Sequence, residues 1–155
     1  MSILVRPAKE GDVEAMAKIR ARRWGSREFW MDRIGRYLKG EYFPQQALET
    51  RAVFVADDDG EVVGLAAGHQ TRRFGCDGEL EWIDVAEERR RHGVAAQLLA
   101  SAGSWFVEQN LRRICVNVDP QNAAARGFYA KHGAVALNEH WMVWEDATSM
   151  SGSAV

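Results

Sequence analysis

The residues whose spacing best suggests chemistry lie between a predicted strand and a predicted helix. Arg90, Gly93 and Ala95 are spaced R-x-x-G-x-A. They follow an apolar run that ends at Val85 and precede apolar residues that recur with helical periodicity from Val94 to Phe106. A strand that turns directly into a helix leaves the first backbone N–H groups of that helix unpaired, at the positive end of its dipole. Such groups bind phosphate or pyrophosphate, and the missing Cβ of Gly93 lets an anion approach the backbone closely. On this segment alone, an ordinary strand-to-helix turn with solvated arginines explains the pattern about as well.

A second segment favours the anion-binding interpretation. After a strand pattern at Ile114–Val118, the residues Asn122–Ala134 read NAAARGFYAKHGA. Together the two segments resemble the GNAT superfamily of acyl-CoA N-acyltransferases. The first resembles its pyrophosphate-binding motif, V-x-P-x-x-R/Q-x-x-G-I/V-G/A, with Glu87 in place of the frequent proline. The second resembles its motif N-x-x-A-x-x-F/L-Y-x-x-x-G-F/A, and the two stand in the family's order.

The resemblance implies how a cofactor binds. The co-substrate would be acetyl-CoA or another short acyl-CoA, with no metal. Its pyrophosphate would bind to the backbone at the start of the helix that follows Gly93, and Arg89–Arg91 would add positive charge. Its pantetheine arm would hydrogen-bond to the backbone of the preceding strand, as a neighbouring strand does. The cofactor-binding residues implied are Ile83, Asp84, Val85, Arg90, Arg91, His92, Gly93, Val94, Ala95, Ala96, Asn122 and Tyr129.

Acetyl transfer to an amine requires a base for the ammonium and a proton donor for the departing thiolate. Glu81 is the predicted base, because it stands where several GNAT enzymes carry a catalytic glutamate and because its apolar neighbours would raise its pKa. Glu79 and Asp84 remain alternatives, since a bulge would change which residues face the cleft. Tyr129 is the predicted proton donor, although without the motif it would be taken as a core tyrosine. His69 and His140 are isolated and are interpreted as structural.

The elements that must position these groups form an α/β pattern with a mixed sheet. A hairpin is predicted at Ala52–Ala56 and Glu61–His69, with its turn at Asp57–Gly60. A strand, helix, strand and helix then follow, at Glu79–Ala86, Gly93–Gln109, Arg112–Val118 and Asn122–Lys131. The resemblance implies the GNAT fold, in which a central sheet of six to seven strands has about four helices on both faces and splays between strands 4 and 5.

The segment Arg20–Phe43 interleaves six arginines with aromatic side chains. In GNAT proteins this region commonly contributes to the acceptor pocket. An amphipathic helix at Arg27–Leu38, with aromatics on the sheet and arginines in water, explains most of these residues. Nucleic-acid binding is disfavoured by the acidic residues in the segment and by the net charge of −2.

The chain of 155 residues fits one domain, predicted at 1–147, with 148–155 as a disordered tail. The two cysteines are too few for a disulfide framework or a Cys-rich metal site. The N-terminal sequence is not typical of a secretion signal, and no segment is long enough to span a bilayer, so a cytoplasmic protein without a membrane partner is expected.

We therefore predict an N-acetyltransferase that moves an acetyl group from acetyl-CoA to a primary amine of a small molecule or peptide, by direct transfer in a ternary complex. The alternative is a non-catalytic acyl-CoA-binding or sensing domain of the same fold. A nucleotide-binding module that merely shares the glycine turn is a third hypothesis. The sequence does not specify the acceptor, and homodimer formation stays open.

Overall fold

A seven-stranded mixed sheet organises the computed structural model, which describes residues 2–151. The strand order is β1-β2-β3-β4-β5-β7-β6, and every neighbouring pair is antiparallel except β4 and β5. The strands are β1 (Ile3–Pro7), β2 (Ala47–Asp58), β3 (Glu61–Thr71), β4 (Gly78–Val85), β5 (Ile114–Asn117), β6 (Val135–Asn138) and β7 (Trp141–Trp144). The helices are α1 (Val13–Ala21), α2 (Arg27–Leu38), α3 (Val94–Glu108) and α4 (Ala123–Lys131). The predicted mixed sheet with four helices is confirmed.

The two faces of the sheet build separate cores because neighbouring residues of a strand point to opposite sides. On β3, Leu65 and Ala67 pack against α1 and α2, whereas Ala66 between them packs against α3. A further apolar cluster joins α3 and α4 to β5, with Phe106 fully buried at its centre. Within the described range, none of the helices combines the length and apolar character needed to span a bilayer.

Helix ends follow from local sequence. The side chain of Asn122 accepts a hydrogen bond from the backbone N–H of Ala125 at 3.0 Å and so caps α4. Asn110 adopts a left-handed conformation, with φ of 63°, just beyond α3. These caps fix where α3 stops and where α4 starts, and both helices border the same opening in the sheet.

That opening lies between the two parallel strands. Only Gly78–Leu80 of β4 pair with Ile114–Val116 of β5. Beyond these three residue pairs, the strands have no further pairing in the described chain, and Glu81–Val85 continue alongside β3 alone. The predicted splay between strands 4 and 5 is therefore present.

The C-terminal segment departs from the prediction. Ala147–Ser151 form a 3₁₀ turn, and the side chain of Met150 is fully buried against α3. A Cβ at Gly103 would stand 2.7 Å from the Met150 Cβ, so this contact is close. The expectation of a disordered tail from Thr148 is thus wrong for residues 148–151, because one large apolar side chain anchors an otherwise small and polar stretch. Residues 152–155 lie outside the described range.

Candidate active site

A cleft of about 620 Å³ opens where β4 and β5 separate. Its walls come from the end of β4, the loop that leads into α3, and the first turns of α3 and α4. Ten residues predicted to bind cofactor line it: Ile83, Asp84, Val85, Arg90, Arg91, Gly93, Val94, Ala95, Ala96 and Asn122. His92 and Tyr129 are not among the lining residues. Arg23, Lys131 and His132 also line the cleft, although neither of the two motifs predicted a role for them.

The loop before α3 combines left-handed residues with the free N–H groups of a helix start. Arg91 and Gly93 both have left-handed backbone, with φ of 70° and 79°. The helical hydrogen bond from the Gln97 N–H reaches the carbonyl of Gly93 at 3.2 Å, so the N–H groups of the preceding helical residues have no helical partner. Free N–H groups at the start of a helix suit an anion. A Cβ at Gly93 would meet no atom within 4 Å, so packing does not require the glycine there.

Positive charge surrounds the buried carboxylate of Asp84, which is 3% exposed. Its oxygens accept hydrogen bonds from Arg23 at 3.0 Å and from Arg20 at 3.4 Å, and Arg90 lies 3.9 Å away. One carboxylate thus faces three guanidinium groups, which leaves a net positive charge beside the cleft. These arginines already occupy the oxygens of Asp84, so this residue suits a positioning role better than the alternative role of base.

Glu81 occupies a β-bulge. Trp82 pairs with Ala67 and Leu80 with Gly68, so Glu81 is the extra residue of β4. Burial, followed by the charge of Glu79, raises the pKa of Glu81 to about 7, although the guanidinium groups of Arg73, Arg20 and Arg33 act in the opposite direction. A bulge, which was the reason for keeping Glu79 and Asp84 as alternative bases, is thus present, and it lies at Glu81 itself. A carboxyl group with a pKa near 7 can exchange a proton near neutral pH.

A buried network adjoins Glu81. The hydroxyl group of Tyr37 lies 3.0 Å from Nδ1 of the fully buried His69, and Nε2 of His69 lies 3.5 Å from Glu79. Arg73 donates to the same Glu79 oxygen at 3.1 Å. The ligand atoms of His69, Glu79 and Glu81 lie within 4.8 Å of one another, a spacing that a metal ion could bridge. The guanidinium on Glu79 opposes a cation, so we assign no metal to this network, and metal-free function stays a prediction.

Tyr129 is 7% exposed and its ring meets the edge of Trp144 at 5.5 Å. Burial raises the pKa of its phenol to about 12, so the hydroxyl group stays protonated at neutral pH. The charge of Arg20 lowers the pKa of both Tyr129 and Glu81, so this guanidinium acts on both predicted catalytic groups. His140, by contrast, is exposed and lies 3.3 Å from Glu139.

The model of the Acetyltransferase (GNAT) family matches residues 14–134. The chain belongs to the GNAT family. Among curated proteins, the uncharacterized N-acetyltransferase YuaI of Bacillus subtilis (strain 168) is 28% identical to this GNAT chain, and the alignment covers 96% of each.

Solved structures agree with the family at the level of fold. The PaiA N-acetyltransferase from Thermoplasma acidophilum, in complex with coenzyme A, matches with a TM-score of 0.72 and 16% identity, over 93% of this GNAT chain and 99% of that one. Ard1 from Thermoplasma volcanium matches with a TM-score of 0.71 and 20% identity, over 92% and 97% of the two chains. The bound coenzyme A is a property of the PaiA structure.

Proposed function

We propose that this GNAT protein transfers an acetyl group from acetyl-CoA to a primary amine of a small molecule or peptide, with both substrates bound at once. The observation that supports the proposal is Glu81 at the bulge of β4, a partly buried carboxyl group with a pKa of about 7 that stands two residues before Ile83, which lines the cleft. The two cysteines are buried, and burial raises the pKa of both thiols, which does not favour an acyl-cysteine intermediate.

The residues of the cleft fit acetyl-CoA. The N–H groups around Gly93 and the first turn of α3 suit a pyrophosphate, and Arg90 and Arg91 add positive charge. Arg89 also lines the cleft but is paired with Asp58 and Glu61. On the side that β5 leaves unpaired, Ile83–Val85 of β4 can offer backbone groups to an extended amide-bearing arm. When bound, acetyl-CoA supplies an acetyl group activated as a thioester.

Glu81 is assigned the role of base. An alkyl ammonium group titrates near pH 10, so the amine needs to lose a proton before it can attack. At pH 7 about half of the Glu81 carboxyl groups are ionised and can accept that proton, directly or through water. Glu79 is the weaker alternative because Arg73 already holds it.

Tyr129 is assigned the role of acid. Its phenol keeps its proton at neutral pH and can donate it to the sulfur that leaves. Asn122, which caps α4, fixes the start of the helix that carries Tyr129.

Release of CoA thiol in the presence of a panel of amines tests the proposal. In the Tyr129→Phe variant we expect kcat to fall by about 10²- to 10⁴-fold, the usual contribution of a general acid. The acetyl-CoA dissociation constant, measured by calorimetry, should stay nearly unchanged, because the phenyl ring remains. Tight acetyl-CoA binding without turnover on any amine would instead support an acyl-CoA sensor, and binding of ATP or NAD in preference to CoA would contradict both.

We further expect a cytoplasmic protein that uses neither nucleic acid nor a membrane as partner. Its net charge of −2 provides no general attraction to polyanions. Size-exclusion chromatography with light scattering tests whether it forms a homodimer.

A further inference from the structure

Three arginines act on Glu81 by their charge, and they differ in what neutralises them. The guanidinium groups of Arg73, Arg20 and Arg33 all favour the ionised form of this carboxyl group. Arg73 is paired with Glu79 at 3.1 Å, and Arg20 is paired with Asp84 at 3.4 Å. Within the described chain, Arg33 has no carboxylate at ion-pairing distance. Ring contacts connect it to the predicted base: Arg33 lies over Phe29, Phe29 meets Trp30 at 5.2 Å, and Trp30 meets Trp82, the neighbour of Glu81, at 5.7 Å. Arg33 is therefore the guanidinium in this region whose charge is left uncompensated.

Arg33 is nevertheless held in place. Its Nη1 donates a hydrogen bond to the hydroxyl group of Tyr42 at 3.0 Å. Its guanidinium plane lies over two rings, 4.8 Å from the centre of Phe29 and 4.3 Å from that of Tyr42. The side chain is half-buried and already held in one position, so little conformational entropy is lost when an anion binds to it.

Arg51 shows what a purely structural arginine looks like in this fold. It also stacks on two aromatic rings, Tyr37 and Phe43. Its Nε, Nη1 and Nη2 donate to four backbone carbonyl groups, including that of Tyr42 at 2.7 Å. In Arg33, by contrast, Nε and Nη2 have no hydrogen-bond partner in the part of the chain that the structure describes. These two donors form a fork that matches a carboxylate or a phosphonate.

We propose that Arg33 binds an anionic group of the acceptor, so that the substrate is a primary amine that also carries a carboxylate or phosphonate. This inference rests on the proposed function, because it places the amine at Glu81 and the anion at Arg33. It makes α-amino acids and related amino acid analogues the preferred class. It disfavours polyamines, whose second cation would meet an uncompensated guanidinium.

The acceptors that test the inference come in matched sets. Each L-amino acid is compared with its amide and with its decarboxylated amine, and with the corresponding aminoalkylphosphonate to distinguish the two anions. We expect kcat/KM for the acid or the phosphonate to exceed that for the neutral analogues by about 10- to 100-fold, the usual value of a hydrogen-bonded charge. Binding of the same compounds to the CoA-loaded protein is measured in parallel by calorimetry.

Variants then assign the preference to Arg33. The Arg33→Met variant should raise KM for the anionic acceptor about 10- to 100-fold and leave kcat within a few-fold. For the neutral analogues kcat/KM should change only a few-fold, because loss of the charge also raises the pKa of Glu81. Arg33→Lys should restore part of the loss, because it keeps the charge without the fork. The control is Arg36→Met on the same helix, whose exposed side chain pairs with Asp32 at 3.8 Å and should not affect either class.

Two results would overturn the inference. One is a panel in which the anionic acceptors neither react nor bind better than their neutral counterparts. The other is a preference for anions that Arg33→Met and Arg36→Met leave equally intact. Loss of the proposed function has a different signature: anionic compounds bind the CoA-loaded protein through Arg33, yet no thiol is released from acetyl-CoA.

Discussion

The raised pKa of Glu81 predicts a stability that depends on pH. In the folded protein this carboxyl group titrates at about 7, whereas its ordinary value, expected for the unfolded chain, is 4.5. Folding therefore takes up a proton between these two pH values. The contribution of neutral Glu81 to the free energy of unfolding is fully present below pH 4.5 and is lost as the pH rises through 7. This pKa difference corresponds to about 3 kcal/mol, at about 1.4 kcal/mol for each pH unit.

The Glu81→Gln variant measures this cost directly, because glutamine has a similar shape and cannot ionise. We expect its free energy of unfolding to match that of the wild type near pH 4.5 and to exceed it by about 3 kcal/mol above pH 7.5. Urea unfolding at a series of pH values provides the curve. The control is Glu28→Gln, whose side chain is 75% exposed and should show no such trend. A difference between variant and wild type that does not grow with pH would refute the reasoning.

The same carboxyl group should control the rate. Activity should fall as the pH drops below about 7, and Glu81→Gln should be nearly inactive although it is more stable. The acceptor amine also becomes protonated at low pH, which lowers the rate in the same direction. A second variant is therefore needed to assign the fall in activity at acidic pH to Glu81. Glu79→Gln removes the neighbouring charge that raises the pKa of Glu81 and should move the acid limb of kcat/KM to lower pH. The acceptor is unchanged in that comparison, so an acid limb that stays in place would contradict the assignment of Glu81.

Two further predictions concern the cofactor loop and the C-terminal anchor. Gly93→Ala adds a Cβ at a left-handed residue that lines the cleft, and it should weaken CoA binding, measured by calorimetry, at least about tenfold. The strained backbone should also lower the free energy of unfolding by about 1 kcal/mol. Gly40→Ala has a similar φ of 76° and equally open space, and so should show the backbone cost without the loss of CoA affinity. Met150→Ala should lower the free energy of unfolding by about 2–5 kcal/mol in urea, since the side chain is fully buried. Met31→Ala, at a partly exposed methionine, should cost far less, and equal losses would contradict an anchoring role for Met150.

The cleft was predictable because its signal is local. The spacing of Arg90, Gly93 and Ala95 fixes a turn and a helix start, and Asn122 fixes the start of α4 by a hydrogen bond three residues away. Both segments carry their geometry within about ten residues of chain, so a motif is enough to place them. Ten of the residues expected to bind cofactor line one cleft for this reason.

The electrostatics of the site were not predictable in the same way. Asp84 meets Arg20 and Arg23 across 64 and 61 residues of chain, and nothing in the strand pattern indicates that pairing. The bulge at Glu81 depends on the register with β3, which alternation along β4 cannot reveal. The uncompensated charge of Arg33 likewise follows only from knowing the partners of every other arginine near Glu81.

The splay between β4 and β5 also has a mechanical consequence. Three residue pairs join β1–β4 to the half-sheet formed by β5, β7 and β6. Because this connection is short, the ends of β4 and β5 beyond it are held by packing on the helices and not by pairing with each other. A ligand that binds between β4 and β5 would contact both halves of the sheet. Part of its binding free energy would then be used to fix their relative orientation. Amide exchange in β5 and β7 should therefore slow when the cleft is filled, even at amides that touch no ligand atom.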